Sequence, residues 1–291
     1  MSLVVNTNIA SMNAQRSLHA SGRELSEAME RLSTGKKINS AADDAAGFAI
    51  AESMTAQIRG LSMAAKNAND AQSLLSIVEN ATNDVTDMLQ RVRELAVQAQ
   101  TDTNSSSDKG FLQSEAEALF KEISRVSEDT TYNNVAYLGD GAATLNIQVG
   151  YNDADTIAVT TYDIGADKLG NATSKLYDDA TKVAGTATAT HKATGYLDIS
   201  AANSLTAISD AIDQVAGYKA EWGAGQNRLE YTVSNLMNVV EFTSAARSRI
   251  QDADFAVEAA KLSKNQILQQ TGAAMLAQAN ASPQLAISLL Q

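Results

Sequence analysis

Two adjacent carboxylates, Asp43 and Asp44, have the residue types and spacing that acid–base catalysis or cation binding would need. They lie among small residues, with no His or Cys beside them. A carboxylate pair without further ligands is usually a solvated or structural feature. We therefore expect Asp43 and Asp44 to cap a helix or to pair with Arg31, Lys36 or Lys37.

A second acidic pair lies near the other end of the chain. Asp252 and Asp254 closely follow Arg247 and Arg249, and this spacing predicts ion pairs within and between helices. In an assembly, such charges would also cross contacts between copies of the chain, and salt would then weaken the assembly by screening.

The other residue types exclude most catalytic and metal sites. The chain has no Cys and only two His, His19 and His191, so disulfides, thiolate sites and His-based metal sites or triads lack the residues they need. No glycine-rich phosphate loop and no nucleophile–base pair is visible. The sequence predicts a protein that is not an enzyme, with no catalytic residue, no metal site and no cofactor.

Composition narrows the range of partners and of folds. The net charge of -12 argues against binding to nucleic acid or to an anionic membrane, since both need a basic surface. A single Pro in 291 residues permits long helices. No apolar run is long enough to span a membrane, and the first residues do not form a cleavable signal peptide.

Apolar residues between Met54 and Ala99 recur every seven positions in two rows. One row is Met54, Leu61, Ala68, Leu75, Thr82, Leu89 and Ala96, and the other is Gln57, Ala64, Ala71, Val78, Val85, Val92 and Ala99. All but Thr82 and Gln57 are apolar, which predicts a helix of roughly 70 Å packed along a coiled-coil seam. A polar loop follows, and then a shorter helix with apolar residues at Leu112, Ala116, Leu119, Ile123 and Val126.

The middle of the chain changes to a period of two. Leu145, Ile147 and Val149 alternate with polar residues, as do Ile157 and Val159, which predicts a β-hairpin within 139–165. The Thr-, Ala- and Gly-rich stretch at 166–199 has weak periodicity, and we expect it to form a short, loop-rich outer segment.

A third long helix is predicted within 200–249. Its heptad row includes Trp222, which we expect in the core. Lys219 and Gln226 interrupt the adjoining row, and Gly223 and Gly225 weaken the middle of the helix. We therefore expect a local irregularity there.

Both ends of the chain carry apolar stripes at helical spacing. Pro283 is expected to end or kink the last helix. The apolar residues that we assign to polymerisation are Leu18, Leu25, Leu32, Phe255, Leu262, Leu268, Met275, Leu285, Leu289 and Leu290. An apolar tail at a chain end does not remain in water in the working state. It needs a partner, which is either the N-terminal stripe or another copy of the chain.

These patterns together predict a mainly α-helical, elongated antiparallel coiled-coil rod built from both chain ends, with a β-hairpin and a small outer segment. The predicted domains are the terminal helices (1–45 and 250–291), a helical rod (46–165 and 200–249) and the outer segment (166–199). Each layer combines the two halves of the chain.

Several long blocks of the sequence resemble bacterial flagellin. In the first half they are VNTN at 5–8, ERLSTGKKINSAADDAAG at 30–47 and QRVRELAVQ at 90–98. In the second half they are RIQDAD at 249–254, ILQQ at 267–270, AMLAQAN at 274–280, SPQ at 282–284 and the final leucines 289–290.

The resemblance implies a structural subunit of the flagellar filament that is exported unfolded through the flagellar channel. The expected partners are other copies of the chain, the filament cap, hook-junction proteins, an export chaperone and a Toll-like receptor of the host. The family's receptor-contacting residues correspond to Gln90, Arg91, Leu95 and Glu115. The same surface is expected to contact neighbouring protofilaments, so that only the monomer would be detected.

Two other interpretations remain open from the sequence. A hook–filament junction protein would share the terminal motifs but not the block at 90–98. A cytoplasmic coiled-coil signalling module would fit the Ala-rich heptads, but not the hairpin or the apolar C-terminal tail.

Overall fold

The computed structural model describes residues 7–171, 174–178 and 195–288. The helices of this part of the chain are α1 (Ile9–Thr34), α2 (Ala45–Ala99), α3 (Ser106–Asp129), α4 (Ser204–Gln251) and α5 (Phe255–Ser288). The strands are β1 (Thr144–Gln148), β2 (Thr156–Thr160), β3 (Gly170–Asn171) and β4 (Ser174–Lys175). The predicted mainly helical fold is confirmed.

The chain forms two compact units, which we describe separately. The terminal unit consists of residues 1–59 and 240–291, and the middle unit consists of residues 60–239. Most of α2 and α4 belongs to the middle unit, whereas α1 and α5 belong to the terminal unit.

The heptad rows of α2 form the centre of the middle unit. Leu75, Leu89 and Val92 are fully buried, as the seven-residue spacing predicts. Thr82 is also buried, and its hydroxyl donates a hydrogen bond of 2.6 Å to the Val78 carbonyl. This bond satisfies the hydroxyl and explains why a polar residue can stand in an apolar row.

The prediction of an irregularity in the third long helix is wrong, because α4 continues without interruption from Ser204 to Gln251. The two residues that break its apolar row are paired with α2. Lys219 Nζ donates to Asn83 Oδ1 at 2.5 Å, and Gln226 Nε2 donates to Glu79 Oε2 at 3.0 Å. These contacts and the surrounding core outweigh the cost of the two glycines, about 1 kcal/mol each relative to Ala.

The predicted hairpin is confirmed. Strands β1 and β2 pair antiparallel, with Leu145 opposite Val159 and Ile147 opposite Ile157. Trp222 Nε1 on α4 donates to the Thr160 carbonyl at 2.9 Å, which holds the end of β2 against the helix. Of the predicted outer segment, residues 172–173 and 179–194 lie outside the described residues.

In the terminal unit, α1 packs antiparallel against α5. Gly22 of α1 faces Gln269, and Leu18 faces Gly272, so small residues let the two helices approach closely. Helix α1 ends at Gly35, whose left-handed φ of 70° and N–H bond to the Arg31 carbonyl at 2.9 Å form its C-cap. Glycine adopts this conformation without strain.

Helix α5 does not end at Pro283, since it continues to Ser288. In a regular helix, residue 283 would donate its N–H to the carbonyl of Ala279, and proline has no N–H to donate. Asn8 Nδ2 donates to that carbonyl instead, at 2.7 Å. A side chain preceding α1 thus supplies the hydrogen bond that Pro283 cannot make.

Candidate functional site

The predicted polymerisation residues divide into two groups on the pair formed by α1 and α5, which we call the terminal pair. Leu18, Leu25, Leu32 and Leu262 are half-buried, and Leu18 contacts the partner helix at Gly272. Exposed on the outside of the terminal pair are Phe255, Leu268 and Met275, with 59% of Phe255 and 65% of Met275 accessible. The side chains of Leu285, Leu289 and Leu290 lie outside the described residues.

Other exposed apolar residues of the terminal pair were not among the predicted ones. Ile9, Met12, Met29 and Ile267 are each at least half exposed. Met29 lies on the N-terminal stripe, whereas Ile9, Met12 and Ile267 lie off the stripes, so a search for one periodic face misses these three. The signal that could have found them is the presence of apolar residues on more than one face of each helix. Such a helix is usually covered on several sides.

A groove of about 410 Å³ runs along the terminal pair. It is lined by small residues of α1, among them Ala10, Ala14 and Ser17, and by Leu268 and Met275 of α5. Small residues beside large apolar ones give a surface that can accept the side chains of another helix.

A charged cluster lies at the end of the terminal pair where α5 begins. Arg31 NH1 lies 3.3 Å from Glu258 Oε1, and Lys261 Nζ lies 2.8 Å from the same oxygen. Only 5% of Glu258 is exposed. The hydrogen bond from Lys261 lowers the pKa of Glu258, with a smaller contribution from Arg31, although burial opposes the shift.

The connectors that join α1 to α2 and α4 to α5 hydrogen-bond to each other. Lys37 N donates to the Gln251 carbonyl at 2.7 Å, and Ala253 N donates to the Gly35 carbonyl at 2.9 Å. The two blocks at 30–47 and 249–254 therefore meet at one junction within the terminal unit.

The first acidic pair has structural roles at this junction. Asp44 Oδ1 accepts the N–H of Gly47 at 3.0 Å at the start of α2, and Asp43 Oδ2 accepts the N–H groups of Ser40 and Asn39. The hydrogen bonds from the backbone of Ser40 and Asn39 lower the pKa of Asp43. The expected capping is confirmed, and both carboxylates accept hydrogen bonds from backbone N–H groups.

The second acidic pair is also occupied locally. Asp254 Oδ1 accepts the N–H of Ala256 at 2.9 Å at the start of α5, and Asp252 Oδ2 accepts the Ser248 hydroxyl at 2.6 Å. Arg247, expected to pair with these carboxylates, donates instead to the Thr55 hydroxyl at 3.2 Å. The cap that Asp254 provides determines where α5 begins.

The predicted receptor-contacting residues lie where α2 packs against α3. Arg91 donates to Glu115 Oε1 from Nε at 3.1 Å and from NH2 at 2.8 Å, and its NH1 contacts Glu94 at 2.9 Å. The hydrogen bonds that Arg91 donates to Glu115 and, to a smaller extent, to Glu94 raise its pKa. Gln90 is exposed beside them. Leu95, in contrast, is only 1% exposed and belongs to the core.

Phe111 completes this surface and was missed from the sequence. It lies one helical turn before Glu115, so both face the same side of α3, and 72% of it is exposed. Phe111 lies outside the apolar row that identified α3, so periodicity did not indicate it. We call Gln90, Arg91, Glu94, Phe111 and Glu115 the α2–α3 surface.

In residues 7–171, 174–178 and 195–288, no three His, Cys, Asp or Glu side chains come together as a metal ion would require. None of the helices in these ranges carries an apolar stretch of the length that a membrane crossing needs.

Comparison with known proteins identifies the family. The model of the bacterial flagellin N-terminal helical region matches residues 5–144, and the model of the bacterial flagellin C-terminal helical region matches residues 205–290. The crystal structure of Bacillus cereus flagellin aligns with a TM-score of 0.43 and 25% identity, over 59% of this chain and 88% of that chain.

Three flagellins are similar along their full length. The flagellin of Halalkalibacterium halodurans is 39% identical over 99% of this chain and 100% of its own. That of Bacillus subtilis is 41% identical over 99% of both chains, and that of Xenorhabdus nematophila is 40% identical over 100% of both. On these matches the chain belongs to the bacterial flagellins, the structural protein family of the flagellar filament.

Proposed function

We propose that the terminal pair is the polymerising part of this subunit and that it forms the inner core of the filament. The observation that carries the proposal is the set of large apolar side chains exposed on α5, such as Phe255, Ile267 and Met275, together with the apolar groove of the terminal pair. Apolar surface of this extent marks a contact with another molecule. In a filament of identical subunits, that molecule is another copy of the chain.

This proposal follows the family in its finer points. The subunit would be exported unfolded with the help of an export chaperone, and it would assemble beneath the filament cap, beyond the hook-junction proteins. The middle unit would form the next layer, and residues 166–199 would face the medium. A chain that polymerises in this way grows long filaments, whereas a hook–filament junction protein does not.

Deletion of residues 281–291 tests the role of the C-terminal end of α5. We expect the shortened chain to lose filament formation, as seen by electron microscopy of purified protein at a concentration where the full chain forms filaments. Deletion of residues 180–190, which removes as many residues from the outer segment, is the matched control and should leave polymerisation intact. Normal filaments from the chain shortened at 281 would refute the proposed role.

We also propose that the α2–α3 surface is recognised by a Toll-like receptor when the subunit is a monomer. The arginine held by two carboxylates, the exposed Gln90 and the exposed Phe111 support this, since arginine and aromatic residues dominate the binding energy of many interfaces. Leu95, which lies in the core, would support α2 from beneath. It would not touch the receptor.

Substitution Arg91→Ala tests the receptor surface. We expect at least a tenfold loss of receptor activation by monomers, because removal of a central interface arginine typically costs about 2 kcal/mol or more. The control is Arg125→Ala on α3, since Arg125 is also exposed and also pairs with two carboxylates, Glu122 and Asp129. Equal potency of the Arg91→Ala variant and the unaltered chain would exclude this surface.

If the same surface also contacts neighbouring protofilaments, intact filaments should not activate the receptor. The comparison is between sheared filaments stabilised by cross-linking and the same mass of monomer, both applied to receptor-expressing cells. Equal activation by cross-linked filaments would show that the surface stays free in the polymer.

A further inference from the structure

Asn8 uses both ends of its side-chain amide. Its Oδ1 accepts the N–H of Ser11 at 3.0 Å, which caps the start of α1, and its Nδ2 donates to the carbonyl of Ala279 at 2.7 Å. The side chain is half-buried. One residue therefore begins the first helix and binds the last one.

The acceptor on α5 exists because of Pro283. Every regular helical carbonyl accepts an N–H from four residues further on, and Pro283 offers none to Ala279. Since α5 continues to Ser288, this carbonyl is left without its helical donor inside an otherwise regular helix. A side chain that needs a free carbonyl acceptor therefore finds one at Ala279.

A second hydrogen bond lies in the same turn of α5. Ser11 Oγ, on a residue that is buried, donates to Asn280 Oδ1 at 2.8 Å. If α1 moved along α5 by one residue, both bonds would be lost, and Asn8 Nδ2 would face a carbonyl that already has its helical donor. Single polar contacts of this kind fix register in paired helices whose apolar contacts tolerate sliding.

We propose that Asn8 is a positioning residue that sets the register of α1 on α5 by binding the carbonyl that Pro283 leaves free. The inference rests on the proposed function of the terminal pair, and it adds the residue that aligns the two helices for polymerisation. Capping does not explain Asn at this position, because Asp and Ser cap helices equally well. Asp has no N–H with which to bind Ala279.

The substitution Asn8→Asp separates these two roles, since the carboxylate keeps the cap and loses the donor. We expect the critical concentration for polymerisation to rise about tenfold, the effect of losing one partly buried hydrogen bond. Asn235→Asp makes the same change in charge at an exposed position of α4, away from the terminal pair, and should change the critical concentration less than about twofold. Thermal unfolding of the middle unit should be unchanged in both variants.

The decisive experiment measures the effect of Asn8→Asp on the critical concentration in a chain that also carries Pro283→Ala. The second substitution restores the N–H that binds the Ala279 carbonyl, so the cost of Asn8→Asp should fall to less than about threefold. If Asn8→Asp alone does not polymerise at all, recovery in the double variant is the expected result. An equal cost of Asn8→Asp with and without Pro283→Ala overturns the inference, as does an equal effect of Asn235→Asp.

The outcomes also separate this inference from the proposed function. If the unaltered chain forms filaments and Asn8→Asp has the same critical concentration, only the role of Asn8 is refuted. If the unaltered chain forms no filaments, the proposed function fails as well.

Discussion

Glu258 is a buried carboxylate that is held ionised by two cations. It lies between Arg31 and Lys261, and the hydrogen bond from Lys261 is the largest cause of its lowered pKa. A carboxyl group with a lowered pKa stabilises the folded state above its pKa in the unfolded chain, about 4.5, and that contribution is lost as the pH falls through the lower folded value.

The substitution Glu258→Gln should therefore destabilise the terminal pair at neutral pH and have less effect in acid. We expect a loss of about 1–3 kcal/mol at pH 7, because two charged partners lose their buried carboxylate. The difference from the unaltered chain should shrink as the pH falls below about 4. Thermal dissociation of filaments, followed by light scattering at several pH values, measures it.

Glu27 provides the control for Glu258. It pairs with the same Arg31 at 2.5 Å, one helical turn earlier on α1, but half of its side chain is exposed. Glu27→Gln should cost about 0.5 kcal/mol or less. Equal losses for the two variants would mean that burial of Glu258 does not matter.

At the scale of the element, α3 illustrates how local chemistry determines a helix start. The Ser105 hydroxyl accepts the N–H of Asp108, and Asp108 Oδ2 accepts the N–H of Ser105, which together form a capping box. The polar loop before α3 was visible in the sequence, and this reciprocal pair fixes the residue at which the helix begins.

Ser105→Ala should lower the free energy of unfolding of the middle unit by about 1 kcal/mol, within the range of 0.5–2 kcal/mol for lost N-caps. Ser106→Ala, at the next residue, is the control and should change it by less than about 0.5 kcal/mol. Urea denaturation followed by circular dichroism measures both. A Ser105 variant as stable as the Ser106 variant would contradict the role of the box.

The two phenylalanines of α3 make a second test of this element. Phe120 is fully buried in the core of the middle unit, whereas Phe111 is largely exposed. Phe120→Ala should cost about 3–5 kcal/mol through lost burial and the cavity left behind, and Phe111→Ala should cost less than about 0.5 kcal/mol. Differential scanning calorimetry of the monomers compares them, and similar melting temperatures would contradict the assigned burial.

For the whole molecule, net charge opposes assembly. Each copy carries a net charge of -12, so copies repel one another at distances beyond contact. Salt shortens the range of this repulsion to about 10 Å at 0.1 M. Short-range apolar contacts of the terminal pair are not screened in this way.

The critical concentration for polymerisation should therefore fall when salt rises from about 10 mM to about 150 mM. Pelleting of filaments at several salt concentrations measures it. A critical concentration that rises with salt would instead show that attractive ion pairs between copies dominate, which is the outcome that the charges around Asp252 would favour.

The sequence predicted those parts of the structure that follow from periodicity. The seven-residue rows identified α2 and its buried residues, and the alternation at 145–149 identified the hairpin. Periodicity gave a wrong prediction for α4. Lys219 and Gln226 were interpreted as interruptions of the helix, because their partners on α2 are far away in the sequence. Periodicity also failed at Pro283, whose effect on α5 depends on a side chain from the opposite chain end.

The candidate surfaces were predicted less completely. Family motifs named Arg91 and Glu115, which the structure brings together, but they also named Leu95, which is buried. Phe111 belongs to no motif and no periodic row. Such residues become visible only when the exposure of each side chain is known.

The pairing of α1 with α5 brings together residues that are 271 positions apart in the sequence, Asn8 and Ala279. Asn8 cannot bind Ala279, and Arg31 cannot bind Glu258, until translation has passed these late positions. A chain that ends before Phe255, after premature termination or proteolysis, lacks the helix α5 that packs against α1. Such a shortened chain cannot form the terminal pair, and by the proposal above it would not enter the filament.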